Sequence, residues 1–141
     1  MAAWLVKSDP DEYSAHDLER DGRTAWSGVR NPTAQQHLRA MAEGDEVLVY
    51  HTGDEREIVA LARVAAAPYP EPGGPNERTV CVDLEFVRFL KTPIPLAAIK
   101  SDPAFSEFPL VRIGRLSVMP VKPDEWRGLL TLAGERGRTK K

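Results

Sequence analysis

Apolar positions in this chain fall into short runs separated by turn residues, and their period changes from segment to segment. Trp4-Leu5-Val6 is continuous and stops at Lys7-Ser8-Asp9-Pro10, the pattern of a buried strand that ends in a turn. Ser14 then stands as a helix N-cap, with Asp17 three residues on and Tyr13 and Leu18 placed to pack across the first turn. This predicts a short helix ending near Asp21-Gly22. Asn31-Pro32 opens the clearest helix, because Asn is a good N-cap and Pro loses nothing at the first helical position. Ala34, Leu38 and Met41 carry its apolar stripe, and Gly44 stops it.

Strands are predicted at 46–51, 57–65 and 79–90. In the last, Val82, Leu84 and Phe86 alternate with Asp83 and Glu85, so one face is buried and one is wet. Ala66 to Asn76 holds four prolines and two glycines and reads as a loop. Helical turns are expected at Pro95–Ser101 and Pro109–Gly114, and a late strand at Leu116–Pro120. A last helix begins at Pro123, with Trp126, Leu129, Leu130 and Ala133 inward and Gly134 at its end. Residues 1–134 form one predicted domain, and the charged segment 135–141 is expected to be a disordered tail. Strands interrupted by short helices define an α+β, barrel-like fold.

Composition narrows the functions. A chain of 141 residues with 42% hydrophobic and 28% charged positions is an ordinary globular domain. Its net charge of −2 speaks against coating nucleic acid by bulk charge, which needs many Lys and Arg contacts to phosphate. A nucleic-acid ligand would therefore require a shaped pocket with a local basic rim. Cys81 is the sole cysteine, so no intrachain disulfide is possible and no thiolate zinc site is expected, and it reads as a small core residue. His16, His37 and His51 are scattered without spaced carboxylates, so neither a metal nor a cofactor is expected. The first residues lack the features of a secretory signal, and no run reaches the roughly 20 apolar residues that cross a bilayer. The expectation is a cytoplasmic monomer with no membrane partner.

Several segments, in this order and spacing, resemble the EVE family: Trp4 to Tyr13, Gly22 to Asn31, Met41-Ala-Glu-Gly-Asp45 leading into Val49-Tyr-His-Thr-Gly53, Ala67-Pro-Tyr-Pro70, Arg115 to Val121, and Glu125-Trp126. They extend over nearly the whole chain. The sequence departs from the usual pattern at Asp9, where Glu is common. Pro32 and Gln35 replace a common Tyr and Arg, and Ala60 replaces a Gly. The resemblance implies a PUA-like mixed β-barrel with short helices at its rim and one pocket. It also implies recognition of a modified base in DNA or RNA, with modified cytosine in DNA as the leading ligand. The related YTH readers likewise place a Lys-Ser pair after the first strand and a Trp in the pocket.

A base lifted from its stack loses a few kcal/mol, which stacking and edge hydrogen bonds must offset. Aromatic stacking returns roughly 1–3 kcal/mol per base. Trp26, in a segment read as a loop bounded by Gly and Ser, is the first candidate, and Tyr50 is either pocket wall or core. Trp4 is assigned to the core. Lys7-Ser8 and Asn31 lie on strand-end or cap turns whose backbone groups are free to face a ligand; Asn31 has its helix cap as an alternative. Ser27, Val29 and Leu116 enter as parts of the family segments. Arg30 and Arg115, with Arg23 and Arg39, are candidates for phosphate through their planar fork. Arg115-Leu116-Ser117 is expected close to the Lys7-Ser8 turn. His51 has three readings: a ligand hydrogen bond, a structural role, or a general base.

Two other function classes remain. A small hydrolase of modified nucleosides, like one in the related ASCH branch, would need a nucleophile, base and orienting group in reach, with Lys7, Thr52 and Glu12 the available set. A protein–protein module with a vestigial pocket would suit the near-neutral charge.

Overall fold

The structure, a computed structural model, describes residues 2–135. Six strands form one sheet: β1 (Ala3–Ser8), β2 (Arg23–Trp26), β3 (Glu46–His51), β4 (Glu57–Pro70), β5 (Val80–Pro95) and β6 (Val118–Pro120), in the order β2-β5-β4-β3-β1-β6. Only β1 and β3 pair in parallel; all other pairs are antiparallel. The crossover between them carries α1 (Ala15–Asp21), β2 and α2 (Pro32–Ala40). Three further helices, α3 (Leu96–Lys100), α4 (Pro109–Arg112) and α5 (Pro123–Leu132), follow β5, with a 3-10 turn at Pro103–Phe105.

β1 and β3 lie beside each other in the interior of the sheet, and Leu5, Val6 and Val47 to Tyr50 are buried. That explains their continuous apolar runs. Trp4 is core, as expected, and donates its indole N–H to Asp45 at 3.0 Å. The Ser14 cap forms both halves of its reciprocal bond with Asp17, and Asn31 caps α2 by accepting from Ala34 N. Cys81 is buried.

The expected α+β, PUA-like architecture is present, but the sheet stays open: β2 and β6 are its two edges. Two segments read as loops are strands. Arg23–Trp26 pairs antiparallel with β5, placing Trp26 opposite Val82. Four residues are too few to show a period, and this strand exists because β5 offers an edge. β4 continues through Pro68 to Pro70. Its pairing with β3 ends at Arg63, and Val64 still bonds to Gly44 and Asp45 before that strand; past Val64 the pairing is with β5, and proline is tolerated. Trp126 is half-buried rather than central to the inner stripe of α5. Glu135, assigned to the tail, is buried; its carboxylate accepts from Lys91 N at 2.7 Å and pairs with Arg88 at 2.5 Å. Residues 136–141 lie outside the described residues.

Candidate base-binding cleft

The parallel register of β1 and β3 brings Lys7 beside Tyr50 and Ser8 beside His51, and Lys7 N donates to Ser117 O at 2.9 Å. The turn after β1, the end of β2 and the entry to β6 therefore converge. They enclose a cleft of about 460 Å³, lined by Lys7 to Asp9, Glu12 and Tyr13, Thr24 to Arg30, and Ser117. That volume falls within the range of about 300–1,000 Å³ usual for small-ligand pockets.

Two aromatics form its apolar wall. Tyr13 meets Trp26 edge to face, with centroids 6.2 Å apart and planes at 82°. The Tyr13 hydroxyl donates to Asp21 at 2.7 Å. Burial first, then the bond to Asp21, pushes this phenol above its ordinary pKa, so it stays protonated. Ser8 Oγ donates to Tyr13 O at 2.5 Å, tying the turn to the wall.

The lip formed by residues 27–30 is braced by Glu71. Glu71 accepts from Gly28 N at 3.1 Å and from both Arg30 terminal nitrogens at 3.2 and 2.8 Å. The Arg30 fork holds the Glu71 carboxyl below its usual pKa, and Glu71 in turn raises that of Arg30. Gly28 sits at φ +84°, a left-handed backbone that glycine adopts without strain and that turns its N–H toward Glu71. Gln35, which is buried, donates to Val29 O at 2.8 Å and Val80 O at 3.0 Å, and accepts from Val80 N at 2.9 Å. Gln35, which stands where the family commonly has Arg, is the tie between α2, the lip and β5.

Of the residues singled out by sequence, Lys7, Ser8, Trp26, Ser27, Val29, Arg30 and Ser117 line this cleft. Leu116 is buried beside it and Arg115 is exposed nearby; neither lines it. Asn31 is outside it, capping α2. Tyr50 lines a separate cleft. His51 lies under α1, where its Nε2 accepts from Ala15 N at 3.0 Å and its Nδ1 contacts Glu55 at 2.8 Å. Since Nε2 accepts a backbone N–H, Nδ1 carries the proton and donates to Glu55. With both nitrogens so engaged, His51 anchors a helix. Of the hydrolase set, Glu12 and Thr52 line different clefts.

Asp9, Tyr13, Thr24, Ala25 and Gly28 also line the cleft and were not among the sequence candidates, and Glu12 was named only for the hydrolase set. Tyr13 lay inside a family segment but was read only as a packing residue of α1. Thr24 and Ala25 gave no signal, because their exposure to the cleft depends on β2 pairing with β5. The phosphate candidates fare differently again. Arg23 pairs with Asp83 at 3.0 Å, Arg30 with Glu71, and Arg39 donates to Arg78 O at 2.8 Å.

An open mixed sheet with one aromatic-walled cleft at the end of its parallel strand pair defines a PUA-like domain. The family model described as the EVE domain matches residues 2–132, and the chain belongs to that family. Human thymocyte nuclear protein 1 is 31% identical over 92% of this chain and 72% of its own length. Its crystal structure in complex with 5-methylcytosine-containing DNA superposes with a TM-score of 0.87 at 30% identity, covering 94% of this chain and 98% of that one. The NMR structure of a Rhodopseudomonas palustris protein gives a TM-score of 0.90 at 39% identity over 95% and 94% of the two chains. A YTH domain from Zygosaccharomyces rouxii shares the fold, with a TM-score of 0.59 at 12% identity over 94% and 86%.

The expected cytoplasmic address is corrected by these relatives, whose name identifies them as nuclear proteins. Among the described residues no helix is long and apolar enough to cross a membrane.

Proposed function

We propose that this domain reads a modified base in nucleic acid, holding the flipped base in the cleft between Trp26 and the braced lip. The observation that carries the reading is the pairing of an aromatic wall with a lip held rigid by Glu71 and Gln35. Stacking returns about 1–3 kcal/mol against a flipping cost of a few kcal/mol, so little can be lost to ordering the site. A lip fixed in advance removes much of that loss. Lys7, Ser8, Ser27 and Ser117 supply polar groups for the base edge. The relative solved with 5-methylcytosine-containing DNA supports modified cytosine in DNA as the ligand.

The test is fluorescence anisotropy with single- and double-stranded oligonucleotides carrying cytosine, 5-methylcytosine, 5-hydroxymethylcytosine or N6-methyladenine, at fixed salt. A preference for one modification, lost in Trp26→Ala, is expected. Because Trp26 is largely buried, Glu71→Gln, which loosens the lip without opening the core, serves as the second variant. Equal affinity for all oligonucleotides would overturn the reading.

A further inference from the structure

On the other side of Lys7 lies a second cleft, of about 230 Å³, bordered by Lys7, Tyr50, Thr52, Arg56, Lys100 and Gly114 among others. Its lining contains three cationic residues and no carboxylate. Among the described residues, Arg56 and Lys100 form no ion pair. Lys7 reaches over the Tyr50 ring, 5.7 Å from its centroid, and donates one hydrogen bond to Gly114 O at 2.8 Å, leaving two ammonium protons. Tyr50 is only 3% exposed, borders this cleft, and its hydroxyl has no hydrogen-bond partner among the described residues. The ring is buried while the hydroxyl opens to the basic cleft, where it is free to donate to an acceptor from outside.

The first cleft has the opposite balance. Asp9 and Glu12 lie on its rim, and Glu71 neutralises Arg30. A sugar–phosphate chain entering there finds little free positive charge, whereas the second cleft offers three cations next to a neutral donor. Lys7 borders both, so the two clefts adjoin at this residue.

We propose that the second cleft binds phosphate, specifically the phosphodiester beside the base held in the first cleft. This rests on the reader function proposed above. Tyr50 Oη and the Lys7, Arg56 and Lys100 side chains donate to the phosphate oxygens.

The test compares the wild type with the double variant Arg56→Gln, Lys100→Gln, both positions being exposed and clear of the base site. Affinity for the preferred modified oligonucleotide is measured at several salt concentrations. Losing one phosphate contact makes the slope of log K against log salt shallower by about 0.7–0.9. Wild-type affinity then falls about threefold more than the variant's between about 50 and 200 mM salt. The ratio of modified to unmodified affinity stays unchanged. A second arm titrates inorganic phosphate against labelled protein by NMR, with shifts expected at residues 50–56 in the wild type and diminished in Tyr50→Phe and in the double variant. An unchanged salt slope with no phosphate shifts overturns the proposal. Phosphate shifts with an unchanged slope also overturn it, by assigning the cleft to free phosphate. Absence of any modification preference in the wild type would instead sink the reader function, and the phosphate arm would still decide whether this cleft takes the anion.

Discussion

Replacing Gln35 by Met removes three hydrogen bonds while keeping the side chain's length and most of its volume. Gln35 is 6% exposed and is bonded to Val29 O, Val80 O and Val80 N. Each such bond contributes about 0.5–1.5 kcal/mol net, and a buried group left without a partner costs about 1–3 kcal/mol. Val80 is half-buried, so water satisfies part of what is lost, and the expected destabilisation is about 2–4 kcal/mol. For a domain of this size each kcal/mol moves the melting temperature by about 2–4 °C, so a drop of about 5–15 °C is expected. Calorimetry or circular dichroism reads this directly. Hydrogen exchange adds the local signature: the Val80 amide, whose acceptor is Gln35 Oε1, exchanges faster. Affinity for the modified oligonucleotide falls as well, because the lip must then be ordered on binding. A Gln35→Met protein that melts within about 2 °C of the wild type would refute the claim that Gln35 braces the lip.

Three further outcomes follow from the same geometry. Arg30 depresses the Glu71 pKa in the folded state, so the stability it confers is present above the unfolded carboxylate pKa and is lost as pH falls through the depressed folded one. Thermal melts on acidification should therefore show a steeper loss for wild type than for Glu71→Gln, and parallel curves would contradict the pairing. His51→Ala removes the acceptor of Ala15 N and should destabilise α1 by about 1–3 kcal/mol, seen as faster amide exchange there, with base preference intact; loss of base preference in a folded variant would return His51 to the site. Gly128→Ala places a Cβ 2.9 Å from Phe105 Cζ, and Phe105 is buried. Overpacking costs about 1–3 kcal/mol, against a helix-propensity gain of at most about 1 kcal/mol, so a net loss is expected in chemical denaturation. A stabilised variant would show that the ring yields freely.

Local signals in this chain were strong wherever one residue's chemistry decides the backbone. Ser14 with Asp17 and Asn31 with Pro32 specify helix starts through their own hydrogen bonds and fixed angles, and both helices begin there. The apolar runs at 4–6 and 47–50 specify buried strands because burial on both faces leaves no polar position within them. The family segments also placed Lys7, Ser8, Trp26 and Ser117, distant in sequence, in one group that the structure brings together. The tertiary structure decided what depends on a partner strand or a distant side chain. β2 and the extension of β4 exist through pairing with β5 and carry little period of their own. Which face Tyr50 presents follows from a shift in the β3–β4 register between Val49 and Tyr50, which no single-strand pattern encodes. The charge state of the cleft is a tertiary property too. Arg30 and Glu71 are 41 residues apart, and only their meeting turns a phosphate candidate into a structural brace.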